Sequence, residues 1–235
     1  MSYGQFCPIA KATEVLGERW MLLIIRELFL GSHRYTELQR GLSRISPSLL
    51  TKRLKQLENA GIVVRKTRRN GKAYEYYLTP AGKELQPLVE QLAIWGMRWA
   101  RGQLSEDVLD VEFLMWDIQR RINTQYLPKG ESILCFIFKD LTEHKSWWLV
   151  IRDDYVDLCT DSPGTDVDLY ILCSVQTLVE IWEGDITLAR AVDKNLLEFQ
   201  GQRDLSKSMS DWLGINPYSH VRPGDPSMRY IASED

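Results

Sequence analysis

Between Arg34 and Lys72 the chain carries eleven basic side chains: Arg34, Arg40, Arg44, Lys52, Arg53, Lys55, Arg65, Lys66, Arg68, Arg69 and Lys72. Glu37 and Glu58 are the acids among them. Lysine and arginine at this density do one kind of chemistry well, which is to replace the condensed counterions of a polyanion. Duplex DNA offers one negative charge per roughly 1.7 Å, so such a stretch binds it even without reading sequence. Other reactive residue types are dispersed. Cys7 precedes Pro8 at the start of a predicted helix, where the helix dipole favours a thiolate; it is either a redox-sensing thiol or a structural one. Cys135, Cys159 and Cys173 fall inside apolar strand patterns and read as small core hydrophobes. His33, His144 and His220 are scattered, with no metal-ligand spacing, so no metal site is expected. Asp153, Asp154, Asp157, Asp161, Asp166 and Asp168 lack the order of a calcium loop and suit turns and strand edges. Without a phosphate loop or a nucleophile elbow, neither a cofactor nor an enzymatic activity is expected.

The elements that must hold the basic residues read clearly. Ile9, Ala12, Val15 and Leu16 share one helical face, and Trp20, Leu23, Ile24 and Leu28 a second, ended by Gly31. A third helix starts near Tyr35 with Leu38 and Leu42 inward and Gly41 near its end. The fourth opens at Ser46, an N-cap residue, with Pro47 in the first helical position and Gly61 beyond the last turn. On it Leu50, Leu54 and Leu57 point one way, and Ser48, Thr51, Lys52 and Lys55 the other. From Gly61 the period changes to two. Asn70-Gly71 between two β-prone runs is a strong hairpin signal, since a type I′ turn needs positive φ at both centres. Arg68, Arg69 and Lys72 flank that tip.

A leucine-faced helix whose polar face is open to solvent has the geometry of a recognition helix, and a basic hairpin beside it makes a winged helix-turn-helix. The expected DNA contacts are Arg34, Ser46, Ser48, Thr51, Lys52, Arg53, Lys55, Arg68, Arg69 and Lys72. Thr79 and Pro80 then open a helix in which Leu85, Leu88, Val89, Leu92, Trp95 and Trp99 recur three or four apart. That stripe needs a partner: a second copy of the chain, or the remainder of its own chain.

Charge divides the 235 residues sharply. Residues 1–101 hold 17 basic and 8 acidic side chains, against 12 and 24 in residues 102–235. The chain is long enough for two modest domains. No apolar run approaches the roughly 20 residues of a membrane span, and the N-terminus lacks the pattern of a secretory signal. A cytoplasmic protein with reduced thiols, not associated with a membrane, is expected.

Residues 6–100 resemble the HxlR-type winged-helix regulators of bacteria. The resemblance is carried by Cys7-Pro8, Gly17 with Arg19-Trp20, Ile45-Ser46 before Leu50-Thr51, Arg53-Leu54, Leu57-Glu58, Gly61, Arg65, and Tyr76, Leu78 and Thr79 before Gly82. It implies a homodimeric transcription factor, paired through the first and last helices of the domain, on a pseudo-palindromic operator. It also implies a sensing role for a cysteine at the position of Cys7.

Past Gly102 a helix is predicted from about Ser105 to Thr124, with Val108, Val111, Met115, Ile118 and Ile122 aligned. Four strands follow, ILCFIFK, SWWLVIR, YVDLC and DVDLYILC, then helices at Val175–Trp182 and Thr187–Val192, a short strand NLLEFQ, and a helix at Leu205–Leu213. This is an α+β pattern with a mostly antiparallel sheet. Trp116, Trp147, Trp148, Tyr170, Trp182 and Trp212 either fill its core or line a pocket. The order of elements over residues 130–214 is similar to a sterol-carrier-protein domain, which implies an apolar cavity, and Trp116, Trp148, Tyr170 and Trp182 are the candidate ligand-binding rings.

Three segments are therefore expected: a winged helix-turn-helix domain at 1–101, an α+β sterol-carrier-protein-like domain with an apolar cavity at 102–215, and a loosely attached tail at 216–235. The functional expectation is a dimeric, sequence-specific transcriptional regulator, a repressor more than an activator, controlled by a hydrophobic small molecule. The competing expectation is a lipid or small-molecule carrier whose basic domain serves partner binding.

Overall fold

The computed structural model describes residues 2–68, 71, 73–100 and 109–225. The chain divides into two compact units, Met1–Ala93 and Ile94–Asp235. The boundary falls before residue 101, so the last turns of the Leu85–Trp99 stripe belong to the second unit.

The first unit runs α1 (Pro8–Leu16), α2 (Met21–Phe29), α3 (Tyr35–Gly41), α4 (Pro47–Asn59), β1 (Val63–Thr67), β2 (Tyr74–Leu78) and α5 (Pro80–Lys83). It ends within α6 (Gln86–Trp95), which a π-helical turn (Gly96–Ala100) follows. Its core gathers Met21, Ile24, Ile25 and Leu28 of α2, Leu38 and Leu42 beside α3, Leu50, Leu54 and Leu57 of α4, and Ile62 and Val63. The predicted inward faces hold for α3 and α4. They shift on α1 and α2, where Ile9, Ala12 and Leu23 are exposed and Met21 and Ile25 are buried instead. The predicted single helix from Thr79 is interrupted after α5. Pro87 has no N–H to give to the carbonyl four residues back, so the helix restarts as α6.

A buried acid anchors α3. Glu27 of α2 is fully buried, takes Arg26 Nη2 at 2.8 Å and Ser32 Oγ at 3.1 Å, and lies directly against the Cα of Gly41. Any Cβ at position 41 would occupy the space of that carboxylate.

The second unit continues with α7 (Val111–Arg121), a 3-10 turn (Thr124–Tyr126), β3 (Glu131–Phe138), β4 (Ser146–Arg152), β5 (Tyr155–Cys159), β6 (Leu169–Cys173), α8 (Val175–Glu183), α9 (Leu188–Asp193), β7 (Glu198–Gly201), α10 (Arg203–Lys207) and α11 (Met209–Trp212). The five strands form one sheet in the order β5-β4-β3-β6-β7, antiparallel except for the central β3–β6 pair. This agrees with the predicted α+β pattern. α7 starts later than predicted because Asp110 caps it, accepting from Phe113 N at 3.0 Å; residues 101–108 lie outside the described residues. Leu134, Phe136 and Phe138 of β3, Trp147, Leu149 and Ile151 of β4, and Leu169 and Ile171 of β6 face α7, α8 and α11 in one core.

The tail is not loose over residues 216–225. Asn216 N donates to Trp182 O at 2.9 Å and Asn216 Nδ2 to Met97 Sδ at 3.5 Å. Gly224 N donates to Arg98 O at 2.7 Å, and Gly224 lies against the Trp99 ring. Val221 is buried. Residues 226–235 lie outside the described residues.

Candidate nucleic-acid interface

α4 is built to present one face. Ser46 Oγ accepts from Leu49 N at 3.3 Å, capping the N-terminus, and Pro47 follows in the first helical position. Leu50, Leu54 and Leu57 are buried, while Ser46, Ser48, Thr51, Lys52 and Lys55 are exposed. The N-terminus is braced from α3 and the turn behind it: Tyr35 Oη donates to Pro47 O at 2.8 Å and Gln39 Nε2 to Ile45 O at 2.8 Å. A rigid helix start with Ser46 and Ser48 at its mouth and Lys52 and Lys55 along its side can take a phosphate-lined groove.

Arg53 departs from the expectation. It is 7% exposed, with Nη2 at 2.6 Å from Glu18 Oε2, Nε donating to Arg19 O at 3.0 Å and Nη1 to Gln56 Oε1 at 2.8 Å. The guanidinium faces inward and secures the turn between α1 and α2, where Trp20 sits at φ +82°. It is therefore a structural residue and leaves the set of DNA contacts. The period itself contains this outcome, since 50, 53, 54 and 57 all fall on one side of a helix.

The hairpin pairs Val63 with Leu78 through Thr67 with Tyr74, and Arg68 N still donates to Ala73 O at 2.9 Å. The expected Asn70-Gly71 turn falls partly outside the described residues. Gly71, at φ +69°, donates its N–H to Arg68 O at 2.8 Å. Arg69, Asn70 and Lys72 lie outside the described residues. A third short stretch joins the ribbon: Tyr76 N donates to His33 O at 2.8 Å and Arg34 bridges to Glu75.

The two hairpin faces differ. Val63, Tyr76 and Leu78 pack on the core. Burial pushes the Tyr76 hydroxyl's pKa up, with Glu58 adding to the rise. On the other face stand Val64, Lys66 and Arg68, with Tyr77 opposite Val64 and Glu75 opposite Lys66. The expected contact Arg34 is exposed at the start of α3, and Arg68 is half-buried at the end of the first strand. Glu75 approaches both, and Tyr77 Oη donates to Glu75 Oε2 at 2.7 Å, which pushes the Tyr77 pKa up. Glu75 lies among these groups and is absent from the expected contacts. Its signal in the sequence is the register, two residues from Tyr77 and opposite Lys66, in a hairpin otherwise rich in cations.

In the second unit the four candidate ligand rings do not come together. Trp182 lies on the helical side, its Nε1 donating to buried Asp117 at 3.0 Å and its ring edge-on to Phe113 at 6.1 Å. Trp116 is on α7 beneath the Arg120 guanidinium. Strand alternation sends Trp148 and Tyr170 to the opposite sheet face, where Cys135 lies between them. One pocket lined by all four is thereby corrected. Asp117 also holds Arg121 at 2.6 Å and Arg120 at 3.5 Å.

Cys7 is half-buried at the N-cap of α1. Burial raises the Cys135 thiol to about 11 and the Cys173 thiol to about 12; Cys173 lies in the core and Cys135 is buried on the other sheet face, whereas Cys159, expected to be buried with them, is half-buried. Among the described residues no group of three or more His, Cys, Asp or Glu is placed to hold a metal. No helix among them is long and apolar enough to cross a membrane.

The HxlR-like helix-turn-helix family model matches residues 15–104. The chain is 36% identical over 101 residues to the uncharacterized HTH-type transcriptional regulator YvaP of Bacillus subtilis, covering 42% of this chain and 94% of that protein. An uncharacterized HTH-type transcriptional regulator of Synechocystis sp. is 36% identical over 104 residues, covering 44% and 77%. Among solved structures, the reduced form of the transcriptional regulator YodB from B. subtilis is 34% identical with a TM-score of 0.35, covering 39% of this chain and 92% of that one. With capped α4, its leucine core and the paired β1–β2 wing in the same order as the residues that carry the resemblance, the chain belongs to the HxlR-like helix-turn-helix family.

Proposed function

We propose that this protein is a sequence-specific DNA-binding transcriptional regulator that acts as a homodimer, with α4 seated in the major groove and the β1–β2 wing on the flanking backbone. One observation carries the reading: Ser48, Thr51, Lys52 and Lys55 are exposed on a helix whose other side is buried leucine and whose N-terminus is fixed by Ser46, Tyr35 and Gln39. Serine, threonine and lysine there can donate to phosphates and base edges, and the wing residues Arg34 and Arg68, with Arg69 and Lys72, extend the contact. The names of the relatives support it. The direct test is selection from a pool of random duplexes by the full-length protein. The reading expects enrichment of an inverted repeat with half-sites about one helical turn apart; recovery of unenriched sequence contradicts it.

Dimer formation is supported by the exposed apolar residues of α6, Leu88, Leu92 and Trp95, and by Phe6 and Ile9 near α1. Repression follows as the simplest consequence of occupying an operator. Control by a hydrophobic molecule in the second unit is the further part of the proposal. The sheet order, with one parallel pair at its centre and helices over one face, is in keeping with a sterol-carrier-protein-like unit. An effector bound there would act by its differential affinity for two states of the dimer, typically worth 1–3 kcal/mol. Native mass spectrometry of the purified protein tests both points; a mass of two chains plus a small molecule is expected, and a bare single chain contradicts it.

A further inference from the structure

We propose that Glu75 is a positioning residue that gathers Arg34 and Arg68 into one phosphate clamp at the root of the wing, and so favours a fitted backbone contact over indiscriminate attraction. The inference rests on the DNA-binding reading and adds an acid to a face otherwise described by its cations.

Two arginines from separate elements converge on one carboxylate oxygen. Glu75 Oε1 is 3.2 Å from Arg68 Nε and 3.8 Å from Arg34 Nε. Arg68 closes the β1 side of the hairpin and Arg34 begins α3, so no local sequence relation brings them together; the backbone bridge Arg34–Glu75 does. The carboxylate is itself held. Its Oε2 accepts from Tyr77 Oη at 2.7 Å, and the Tyr77 ring lies 4.4 Å from the His33 ring and 5.0 Å from Lys66 Nζ. Arg34 is fixed from its other side, because Glu37 Oε1 is 3.6 Å from its Nε and Glu37 Oε2 accepts both Arg34 N and His33 N at 2.9 Å.

The arrangement does more than neutralise charge. The Arg34 and Arg68 side chains remain 52% and 37% exposed, and a guanidinium has five donors in a rigid fork, so engagement of Nε leaves others for a phosphate. Two guanidiniums this close to one oxygen would repel each other without the acid between them. A solvated surface ion pair would need neither the tyrosine lock nor two cationic partners. Glu75 also lowers the positive charge of the wing by one, which weakens its attraction for any duplex and leaves the fitted contact as the favoured one.

The test compares two probes under one buffer: a 30-bp duplex selected by the wild-type protein from a random pool, and poly(dI-dC). Glu75→Gln removes the charge and the fixed geometry; it is expected to weaken binding to the selected duplex about fivefold while tightening binding to poly(dI-dC) with a steeper salt slope, by up to about one unit. Glu75→Asp keeps the charge but shortens the reach, so binding to poly(dI-dC) stays at the wild-type level while the selected duplex is bound more weakly. In an Arg34→Ala, Arg68→Ala background, Glu75→Gln is expected to cause no further loss on the selected duplex, a coupling that general loss of folding would not produce. Equal changes on both probes, or an undiminished effect in the double-alanine background, overturn the positioning role and leave the DNA-binding reading intact. A wild-type protein that selects no sequence overturns both.

Discussion

Lys52 and Arg53 are adjacent, carry the same charge and differ entirely in use. Lys52 stands on the open side of α4, whereas Arg53 is enclosed by Glu18, Arg19 and Gln56. Arg53→Ala is expected to lower stability by about 2 kcal/mol in urea unfolding, because it removes a buried hydrogen-bonding hub, and to leave the salt slope of DNA binding unchanged. Lys52→Ala is expected to do the reverse. Charge alone does not separate the two residues, whereas the leucine period does, since position 53 falls on the side of 50, 54 and 57. The cysteines make a similar point. With pKa raised by burial to about 11 at Cys135 and about 12 at Cys173, both remain neutral thiols in the folded protein. The folded values exceed the ordinary 9.0, so their contribution to stability is complete below pH 9 and is lost as pH rises toward 11–12. Iodoacetamide at pH 8 should therefore modify Cys7 in the native protein and reach Cys135 and Cys173 only on unfolding. Modification of the two buried thiols at the rate of Cys7 would refute their burial.

At the scale of elements, helices and strands with strong apolar periods were legible and their junctions were not. Ser46-Pro47 and Gly61 bound α4, because capping chemistry is local. The run ILCFIFK is β3, because β-branched and aromatic residues suit a buried strand. The break before α6 depended on one missing N–H at Pro87. Glu27 and Gly41 could not be associated from sequence, since a buried acid beneath a helical glycine leaves no periodic trace. Gly41→Ala is expected to cost about 2–3 kcal/mol, read by thermal unfolding, because the new methyl competes with the Glu27 carboxylate for space. The segment 216–225 escaped detection for a related reason: its attachments use a backbone N–H, an asparagine and a glycine lying against Trp99. Gly224→Val is expected to strip hydrogen-exchange protection from residues 96–100 without altering that of α4; unchanged protection at 96–100 would contradict the contact.

At the scale of the molecule, the charge division seen in the sequence agrees with a basic helix-turn-helix unit followed by an acidic α+β unit, although the structural boundary lies at residue 93. The exposed Leu88, Leu92 and Trp95 of α6 are expected to be covered by a second chain, so Leu92→Glu should yield a monomer in sedimentation and weaken binding to a palindromic duplex by at least about tenfold. A dimer of unchanged affinity would show that the chains pair through another surface. Contact between the open face of α4 and duplex phosphates is read from the salt dependence of affinity. For a duplex followed by fluorescence anisotropy between about 50 and 200 mM salt, the wild-type slope is expected to be steep, reduced by about two units in the Lys52→Ala, Lys55→Ala protein and unaltered in Arg53→Ala. Equal slopes for the wild-type and double-lysine proteins would contradict that contact.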